Sequence, residues 1–368
     1  MPVRTSKDRP ILLLGAYGRG NIGDDAFTLC ATELFKGRTI YINAAHNLLL
    51  PQEAVGKVRT ISTDSIKDII AKLHLLLSVK EIIYWGGDLW VKLYGTKRPR
   101  RLLYKMLAIN LLMRLTGKKV HYIGCGIGPL AGFSLWLARL SAGLAETIVV
   151  REQRSADTLR IPSIKVLPDL TINLPYNKPL LHKLPNGKPF VIVISVLWSI
   201  PDRKRNFPKL LNQISKLLDS LPSKDFSITL LPMQISSTEK FDDLWAAKQL
   251  EKQIKKHTVT IHTARDIEAA IKCLRECHLV IGTRLHANIL AILNATPSIG
   301  IAYRPKVRSF FTDNQLNEYC LGLDNLEGLE NLFKKVYSNY HTIAQLFHHA
   351  SEYNLNQKTA YAELVKEL

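Results

Sequence analysis

The chain of 368 residues is too long for one ordinary hydrophobic core, so two domains are expected. Hydrophobic residues make up 46% of it and charged residues 22%, proportions that are typical of a globular protein and exclude a disordered one. The formal net charge of +19 favours an anionic partner, which leaves nucleic acid, an anionic membrane surface and a polyanionic substrate to be distinguished.

Three further features narrow the class of protein. The sequence has no run of about 18 uncharged apolar residues, so we expect no transmembrane helix. The first ten residues lead into a strand without an apolar signal region, and the five cysteines lack the spacing of a zinc site. Together these features predict a protein of the reducing cytoplasm.

The basic residues are spread along the sequence and form no nucleic-acid recognition motif, which argues against a nucleic-acid partner. Their densest cluster, Lys97 to Arg101, precedes an apolar segment from Leu102 to Leu115 that suits a helix. A basic, apolar helix can lie peripherally on the anionic inner face of the plasma membrane. It can equally be a core helix with a solvated basic start, and the sequence leaves both open.

In chain order, the first predicted strand is Ile11 to Leu14, and the first predicted helix runs from about Ala26 to Phe35. The loop between them, GAYGRGNIGDD, contains four glycines that let the backbone approach a ligand. Their spacing is not that of a dinucleotide-binding loop, and no P-loop lysine follows. Asp24 and Asp25 stand where a helix N-cap belongs, so capping and ligand binding are both open.

Two more glycine loops follow predicted strands. The strand Glu81 to Trp85 leads to Gly86-Gly87-Asp88, and the strand Lys119 to Ile123 leads to the sequence GCGIGP. Asp88 either points into the crevice above the sheet or caps a helix. The repeated order of apolar strand, glycine loop and helix predicts a doubly wound parallel sheet whose ligand lies at the carboxyl edge of the strands.

A second series of strands and helices begins at Phe190, after a proline-rich segment that is typical of a linker. We therefore predict an α/β protein with two Rossmann-like, doubly wound domains facing a cleft. The predicted boundaries are 1–175 for the first domain, 176–189 for the linker, 190–325 for the second domain and 326–368 for a helical tail.

The most informative stretch runs from Leu279 to Phe311. It predicts a short strand, a turn at Gly282-Thr283 and an amphipathic helix with Arg284 and His286 in its first turn, before a strand that ends in Arg304-Pro305-Lys306. The N-terminus of a helix binds anions, the arginine fork matches phosphate or carboxylate, and histidine passes a proton near neutral pH. A solvated arginine beside a core histidine is the alternative interpretation.

Taken together, these motifs resemble the polysaccharide pyruvyl transferase family. The resemblance rests on GAYGRGNIGDDAF, YWGGDLW, GCGIGPL, LPDLTINLP and above all VIGTRLHANILAILNATPSIGIAYRPKVRSFF, in the family's order. It implies transfer of the enolpyruvyl carbons of phosphoenolpyruvate onto two hydroxyls of a sugar, which gives a cyclic pyruvate ketal and phosphate. It also implies a GT-B-like fold, a role in biosynthesis of an exopolysaccharide or another cell-envelope polysaccharide, and no cofactor. The loops contain no metal-binding cluster, and a single divalent ion at Asp24-Asp25 stays open.

On this resemblance, the second domain is expected to bind the donor phosphoenolpyruvate through Arg284, His286, Lys306 and Arg304. Catalysis is assigned to His286 as the acid and to Arg284.

The first domain is expected to supply a carboxylate base, Asp88, Asp25 or Asp24. It is also expected to bind the acceptor, a polysaccharide repeat or its lipid-linked precursor. The expected acceptor-binding residues are Tyr17, Asn21, Asp24, Trp85 and Trp90.

The chain departs from the family pattern at two places. The family commonly has three glycines where this chain has Trp85-Gly86-Gly87. Members of the family often carry an arginine soon after the serine that matches Ser195. This chain has none there, although Arg203 or Arg205 can substitute. Two other functions therefore stay open. A GT-B glycosyltransferase would hold a nucleotide-sugar with the same cations, and a sugar- or membrane-surface binding module would release no phosphate.

Overall fold

The computed structural model describes residues 10–45, 48–55, 58–61, 75, 78–89, 99–236 and 242–368. Their contacts divide the chain into two compact units. The first comprises the described residues of Met1–Arg19, Asp24–Leu174 and Gln357–Leu368, and the second those of Gly20–Gly23 and Pro175–Asn356.

The first unit is built on a parallel β-sheet. Its strands are β1 (Ile11–Tyr17), β2 (Ile40–Ala44), β3 (Val58–Ile61), β4 (Glu81–Trp85), β5 (Asp88–Leu89), β6 (Lys119–Ile127), β7 (Thr147–Val150) and β8 (Lys165–Val166). Within the described ranges they pair in the order β3-β2-β1-β4-β6-β7-β8, and β5 pairs with β6. The central strand β4 is buried along its whole length, as expected where helices cover both faces of a parallel sheet.

Helices connect these strands and cover the sheet. They are α1 (Ile22–Leu34), α2 (Gln52–Val55), α3 (Pro99–Leu115), α4 (Gly132–Gly143) and α5 (Gln153–Leu159). α3 and α4 pack against each other, and both contribute to one apolar core with the strands. That core includes Leu103, Met106, Val120, Tyr122 and Leu137.

The second unit repeats this plan. Its strands are β9 (Phe190–Ser195), β10 (Phe226–Leu230), β11 (Val259–Ile261), β12 (Leu279–Gly282), β13 (Ser298–Ala302) and β14 (Cys320–Gly322), paired in the order β11-β10-β9-β12-β13-β14. Its helices are α6 (Arg203–Ser220), α7 (Asp243–Glu251), α8 (Ile267–Glu276), α9 (Leu285–Leu293), α10 (Pro305–Asp313), α11 (Leu329–Ser338) and α12 (Tyr340–Leu355).

Each sheet has a point at which the strand order reverses. It lies between β1 and β4 in the first sheet and between β9 and β12 in the second. This order is that of doubly wound dinucleotide-binding sheets, in which ligands bind outside the carboxyl ends of the strands at the switch point. The two sheets confirm the predicted α/β class with two Rossmann-like domains.

The contacts also locate the predicted linker and tail. Within 176–189, the backbone N–H groups of Lys178 and Leu180 bond to the side chain and the carbonyl of Asn294 at 2.9 and 3.3 Å, so this segment packs on the second unit. The helical tail that we predicted as one segment, 326–368, is divided between the two units. Its last helix, α13 (Lys358–Glu367), groups with the first unit, where the Tyr361 hydroxyl donates to the carbonyl of Pro168 at 2.7 Å.

Helix α9 differs from its prediction in one respect. The sequence indicated an amphipathic helix, but every residue of α9 except His286 is buried. A helix that is apolar all round must lie inside its unit, and α9 packs against α8, α12, β12 and β13. His286 is the one residue of this helix that keeps partial exposure.

Pro99–Leu115 forms the helix α3, which both interpretations of the basic segment predicted, whereas Lys97 and Arg98 lie outside the described residues. In the described ranges, no helix is both long and apolar enough to cross a membrane.

His121 lies in β6 and is buried, and neither ring nitrogen has a hydrogen-bond partner in the part of the chain that the structure describes. Burial disfavours the charged imidazolium and lowers the pKa of His121 from 6.5 to about 4. Between these values the unfolded chain binds a proton that the folded chain does not. Stability therefore falls as the pH decreases through this window.

We expect His121→Leu to remove this loss of stability. Below the pKa of the unfolded state, the unfolding free energy of the parent protein should fall relative to that of the variant by up to about 1.4 kcal/mol per pH unit. Urea unfolding at about pH 7 and about pH 5 measures the difference. Parallel pH profiles would show that burial does not lower the pKa of His121.

Candidate active site in the second unit

The turn between β12 and α9 sets the position of Arg284, which is the N-cap residue of α9. The buried amide of Asn288 fastens this turn, because it donates to the carbonyls of Gly282 at 3.0 Å and Arg284 at 2.8 Å. Its oxygen accepts the Ser298 hydroxyl at 2.8 Å, which ties the turn to β13 as well. Asn288 was not predicted, because an asparagine inside an apolar helix does not indicate which carbonyls it bonds.

The same turn is tied to β9 across the switch point. The backbone N–H of Thr283 donates to the carbonyl of Ser195 at 2.9 Å, and the N–H of Leu197 donates to the Thr283 hydroxyl at 2.6 Å. The Ser195 hydroxyl itself is buried and has no hydrogen-bond partner within the described ranges. These bonds place the start of α9 at the carboxyl edge of the sheet, between β9 and β12.

Arg284 is held by a buried carboxylate. Its Nε and Nη2 donate to Oδ2 and Oδ1 of Asp243 at 2.6 and 2.8 Å, and Nη2 also donates to Oε1 of Gln234 at 2.8 Å. The Asp243 side chain has no exposed surface, and it accepts the backbone N–H of Gln234 at 3.1 Å as well. This bidentate pair fixes the plane of the guanidinium and balances its charge.

Asp243 is the main residue of this site that the sequence analysis missed. It begins α7, and the neighbouring Asp242 is the N-cap, whose carboxylate accepts the N–H of Leu244 at 3.0 Å. Adjacent acids at a helix start are a common capping pattern, so nothing in the sequence distinguishes the second acid from the first.

His286 lies against the segment Gly20–Gly23, which belongs to the same unit. A Cβ on Gly23 would stand 2.1 Å from Nδ1 of His286, and a Cβ on Gly20 would stand 2.0 Å from the carbonyl oxygen of Ile235. Gly20 also has a φ of +69°, which favours glycine. Two of the four loop glycines therefore serve close packing around His286 and Ile235, whereas the sequence indicated contact with a ligand.

Asn21 has a structural role in the same segment. Its Oδ1 accepts the N–H of Gly23 at 3.1 Å at the start of α1, and its backbone bridges to Gln234. Asn21 thus makes a capping bond at this helix start, where capping by Asp24 or Asp25 was one of the two interpretations. Asp24 follows in the first turn of α1 and is half-buried.

A second helix start at this edge carries Arg304 and Lys306. Arg304 is the N-cap residue of α10, which follows β13, the neighbour of β12 in the sheet. The guanidinium carbon of Arg304 and Nζ of Lys306 lie 5.6 and 5.9 Å from the centre of the Tyr303 ring. The four predicted donor residues thus lie at the starts of two helices that follow neighbouring strands: Arg284, His286, Arg304 and Lys306.

Arg203, a predicted substitute for the family's arginine, lies over the ring of Trp198. Its guanidinium carbon is 3.9 Å from the ring centre, and the ring of Trp245 packs 3.9 Å from the same centre. The backbone N–H of Trp198 lies 3.4 Å from Oδ1 of Asp243, so this aromatic cluster adjoins the Arg284 pair. A role for Arg203 in the site stays a prediction.

Two aromatic residues that were expected to contact the sugar are core residues of the first unit. Trp85 is fully buried, its indole N–H donates to the carbonyl of Phe27 at 2.7 Å, and its ring packs on Phe35. Tyr17 is also buried, and its hydroxyl donates to the carbonyl of Trp85. Neither ring presents a face to a ligand, which corrects these two expectations. Trp90 lies outside the described residues.

Asp25 is buried in the first unit, which corrects the expected catalytic role. Its carboxylate oxygens accept the backbone N–H of Gly18 at 2.7 Å and of Leu49 at 3.0 Å. Burial raises the pKa of Asp25 from 3.8 to about 6, against the opposing effect of these two hydrogen bonds. Asp25 therefore holds the first glycine loop to a neighbouring segment and has no surface for a substrate.

Asp88 lies on β5 and pairs with the buried Arg151. Arg151 also donates to Asp169 at 3.1 Å, and Asp169 accepts the N–H and the hydroxyl of Thr171 at 3.0 and 2.8 Å. The Asp88 side chain keeps 22% exposure, so it is a partly accessible carboxylate that a buried arginine holds in place.

Comparison with known families decides the class of protein. A family model described as polysaccharide pyruvyl transferase matches residues 21–305, which is well over half of the chain. The chain belongs to this family. The match confirms the resemblance predicted from the motifs, and its range contains Asp243, Arg284 and His286.

The chain is also similar to a curated bacterial protein. The amylovoran biosynthesis protein AmsJ from Erwinia amylovora is 25% identical to this pyruvyl transferase family member over 247 residues. The match covers 61% of the chain and 57% of AmsJ, so the chain spans little more than half the length of that relative.

Solved structures with the same fold are more distant in sequence. Anabaena Alr3699/HepE in complex with UDP and glucose matches with a TM-score of 0.63 and 14% identity, over 98% of this chain and 100% of that chain. UDP-GlcNAc 2-epimerase from Neisseria meningitidis bound to UDP-GlcNAc matches with a TM-score of 0.60 and 12% identity, over 97% and 98%. These likenesses show the GT-B-like fold that the sequence predicted.

We expect Asp243→Ala to destabilise the protein by about 3–5 kcal/mol, because it removes the carboxylate that balances a largely buried guanidinium. The double variant Asp243→Ala/Arg284→Met removes both charges and should recover most of this loss. A double-mutant cycle of urea unfolding free energies measures the coupling. If the losses of unfolding free energy in the two single variants simply add in the double variant, the pair is not the main constraint on Arg284.

We expect Asp25→Ala to cost about 2 kcal/mol or more in unfolding free energy, because it removes the acceptor of the buried N–H of Gly18 and of the half-buried N–H of Leu49. Asp157→Ala is the matched control, since Asp157 is exposed and accepts a surface bond from Gln153. The control should change the unfolding free energy by less than about 0.5 kcal/mol. Equal effects of the two variants would refute the structural role of Asp25.

Proposed function

We propose that this pyruvyl transferase family member moves the three-carbon unit of phosphoenolpyruvate onto two hydroxyls of a sugar, forming a cyclic pyruvate ketal and releasing phosphate. One observation carries the proposal. The carboxyl edge of the second sheet carries an arginine of fixed orientation and a histidine at the start of α9. It carries two cations at the start of α10, which follows the neighbouring strand. Membership of the family supports the reaction class, and the name of AmsJ supports a role in polysaccharide biosynthesis.

Binding of the donor is first a matter of charge. Phosphoenolpyruvate carries a phosphate and a carboxylate, whereas the charge of Arg284 is balanced by Asp243. Arg304 and Lys306 add positive charge at the start of α10, assisted by the N-termini of α9 and α10. Arg284 then donates to phosphoenolpyruvate through Nη1 in a fixed orientation, because Nε and Nη2 bond Asp243 and Gln234.

His286 is the proposed acid. It lies two residues after Arg284 in the first turn of α9, and Gly23 packs against its ring and limits how far it moves. A histidine side chain gains and loses a proton near neutral pH, so it can protonate the methylene carbon of the donor.

The proposed reaction balances in atoms and protons. C3 of the donor takes a proton from His286, C2 becomes an oxocarbenium-like centre, and the first hydroxyl oxygen bonds to C2. The bond between C2 and the phosphate oxygen then breaks, phosphate leaves with the electron pair, and the second hydroxyl oxygen bonds to C2 to close the ring. Of the two hydroxyl protons, one restores His286 and the other leaves with phosphate.

The acceptor is proposed to be a sugar of a polysaccharide repeat or of its lipid-linked precursor. Asp24 and Asp88 are the two predicted carboxylates of the first unit that keep partial exposure. We propose that one of them binds a sugar hydroxyl or takes its proton.

We expect His286→Gln to lower turnover by about 10²–10⁴-fold, because it removes the proton donor, while the Kd for phosphoenolpyruvate changes by less than about threefold. Phosphate release and the ketal methyl signal in proton NMR report turnover with a panel of galactoside, glucoside and mannoside acceptors. Calorimetric titration reports the Kd. Full turnover in this variant would remove His286 from the mechanism.

We expect Lys306→Ala to raise the Kd for phosphoenolpyruvate by about tenfold or more, because it removes a cation from the start of α10. Lys334→Ala is the matched control, since Lys334 lies on α11 and bonds Glu330 on the surface. The control should leave the Kd unchanged. If Lys306→Ala also leaves it unchanged, the donor does not bind at α10.

A further inference from the structure

Large apolar side chains are exposed on two adjacent helices of the first unit. They are Leu102, Tyr104, Leu111, Leu112 and Leu115 on α3, and Phe133, Trp136 and Leu140 on α4. Their exposed fractions run from 38% for Leu112 to 77% for Leu115, which is unusual for so many large apolar residues in one place. We call this group the α3–α4 surface.

The outward residues follow helical spacing. On α3, Tyr104, Leu111 and Leu115 recur at intervals of seven and four residues, on the face opposite the core residues Leu103 and Met106. On α4, the outward residues are spaced by three and four, while Leu137 and Ala138 face the core. Each helix is therefore apolar on both its inner and its outer face.

A buried polar network keeps the outer faces of α3 and α4 exposed to solvent. Asn110 of α3 accepts the hydroxyl of Tyr84 at 3.0 Å, and its amide donates to the carbonyl and the hydroxyl of Ser141 on α4 at 3.1 and 3.0 Å. This network joins α3 to α4 and to the sheet. Turning either helix to bury its outer face would break these bonds in a low-dielectric interior.

Basic residues dominate the charge of this region, and its nearest acid is Glu146, which pairs with Arg114 at 3.9 Å and with Lys119 at 3.2 Å. No aspartate or glutamate occurs between Asp88 and Glu146 in the sequence, an interval that contains both helices. Lys105 and Arg114 are exposed on α3, beside the apolar residues. The same interval contains further basic residues: Lys92, Lys97, Arg98, Arg100, Arg101, Lys118, Lys119 and Arg139.

We propose that the α3–α4 surface binds the surface of an anionic phospholipid bilayer. Leucine, phenylalanine and tryptophan side chains bury their apolar area at the boundary of headgroups and acyl chains, and aromatic rings favour that depth. Lysine and arginine extend from the same helices to lipid phosphates. The surface offers both kinds of contact on one rigid face.

The charge pattern distinguishes this occupant from two others. A second copy of the chain would bring two predominantly basic surfaces into contact, and like charges across an interface repel. A polyanionic polysaccharide would satisfy the basic residues and leave the leucines in water. An anionic bilayer satisfies both groups. The inference is independent of the donor site, and its test uses no enzyme activity.

The experiment is sedimentation of the full chain with vesicles of phosphatidylcholine alone or mixed with phosphatidylglycerol. Binding is expected with the anionic vesicles, weaker binding with the neutral ones, and a decrease with salt. The variant Leu111→Gln/Leu115→Gln/Trp136→Gln should lower binding to the anionic vesicles by at least about tenfold. Lys105→Glu should lower it by at least about fivefold.

The matched control is Leu180→Gln/Leu184→Gln/Tyr353→Gln, which alters residues of the second unit that are 57, 52 and 62% exposed. It should bind like the parent, and urea unfolding should show that all variants are folded. The proposal is overturned if the parent does not bind anionic vesicles, if it binds neutral ones equally, or if the control loses as much binding. It is also overturned if the parent forms a dimer that the triple variant dissociates, because the second copy is then the occupant.

Discussion

The bidentate pair between Arg284 and Asp243 is the constraint on which the candidate site depends. It joins the start of α9 to the start of α7, and Gln234 adds the loop after β10 to the same set of bonds. The pair fixes the orientation of the guanidinium and balances its charge. Arg284 therefore contributes a hydrogen-bond donor of fixed direction to the site more than a net positive charge. His286, two residues later, takes its position from the same helix start.

The two sheets share one strand order but differ at their switch points. In the first, Tyr17 and Trp85 pack into the core, and Asp25 uses both carboxylate oxygens on backbone N–H groups. In the second, the same place in the topology carries Arg284 and His286. The same fold therefore carries different side chains at the carboxyl edges of its two sheets. These side chains, and not the fold, determine the chemistry at each edge.

The strand–turn–helix pattern around Arg284 and His286 could be predicted from the sequence, since its periodicity and turn residues are local properties. The partner of Arg284 could not, because Asp243 is 41 positions away and only the parallel sheet brings them together. The expectation that Trp85 contacts the sugar was wrong for a related reason. An aromatic residue at a strand end turns inward or outward according to neighbours such as Phe27 and Phe35, which are distant in the sequence.

The most direct test of the central claim, that the second unit binds phosphoenolpyruvate, is thermal melting of the purified protein with three ligands. These are phosphoenolpyruvate, inorganic phosphate and UDP-glucose, and a ligand that binds the folded state alone must raise the Tm. We predict a concentration-dependent rise with phosphoenolpyruvate that phosphate does not reproduce and that Lys306→Ala reduces. A rise with UDP-glucose and none with phosphoenolpyruvate would contradict the claim and assign the site to a nucleotide-sugar.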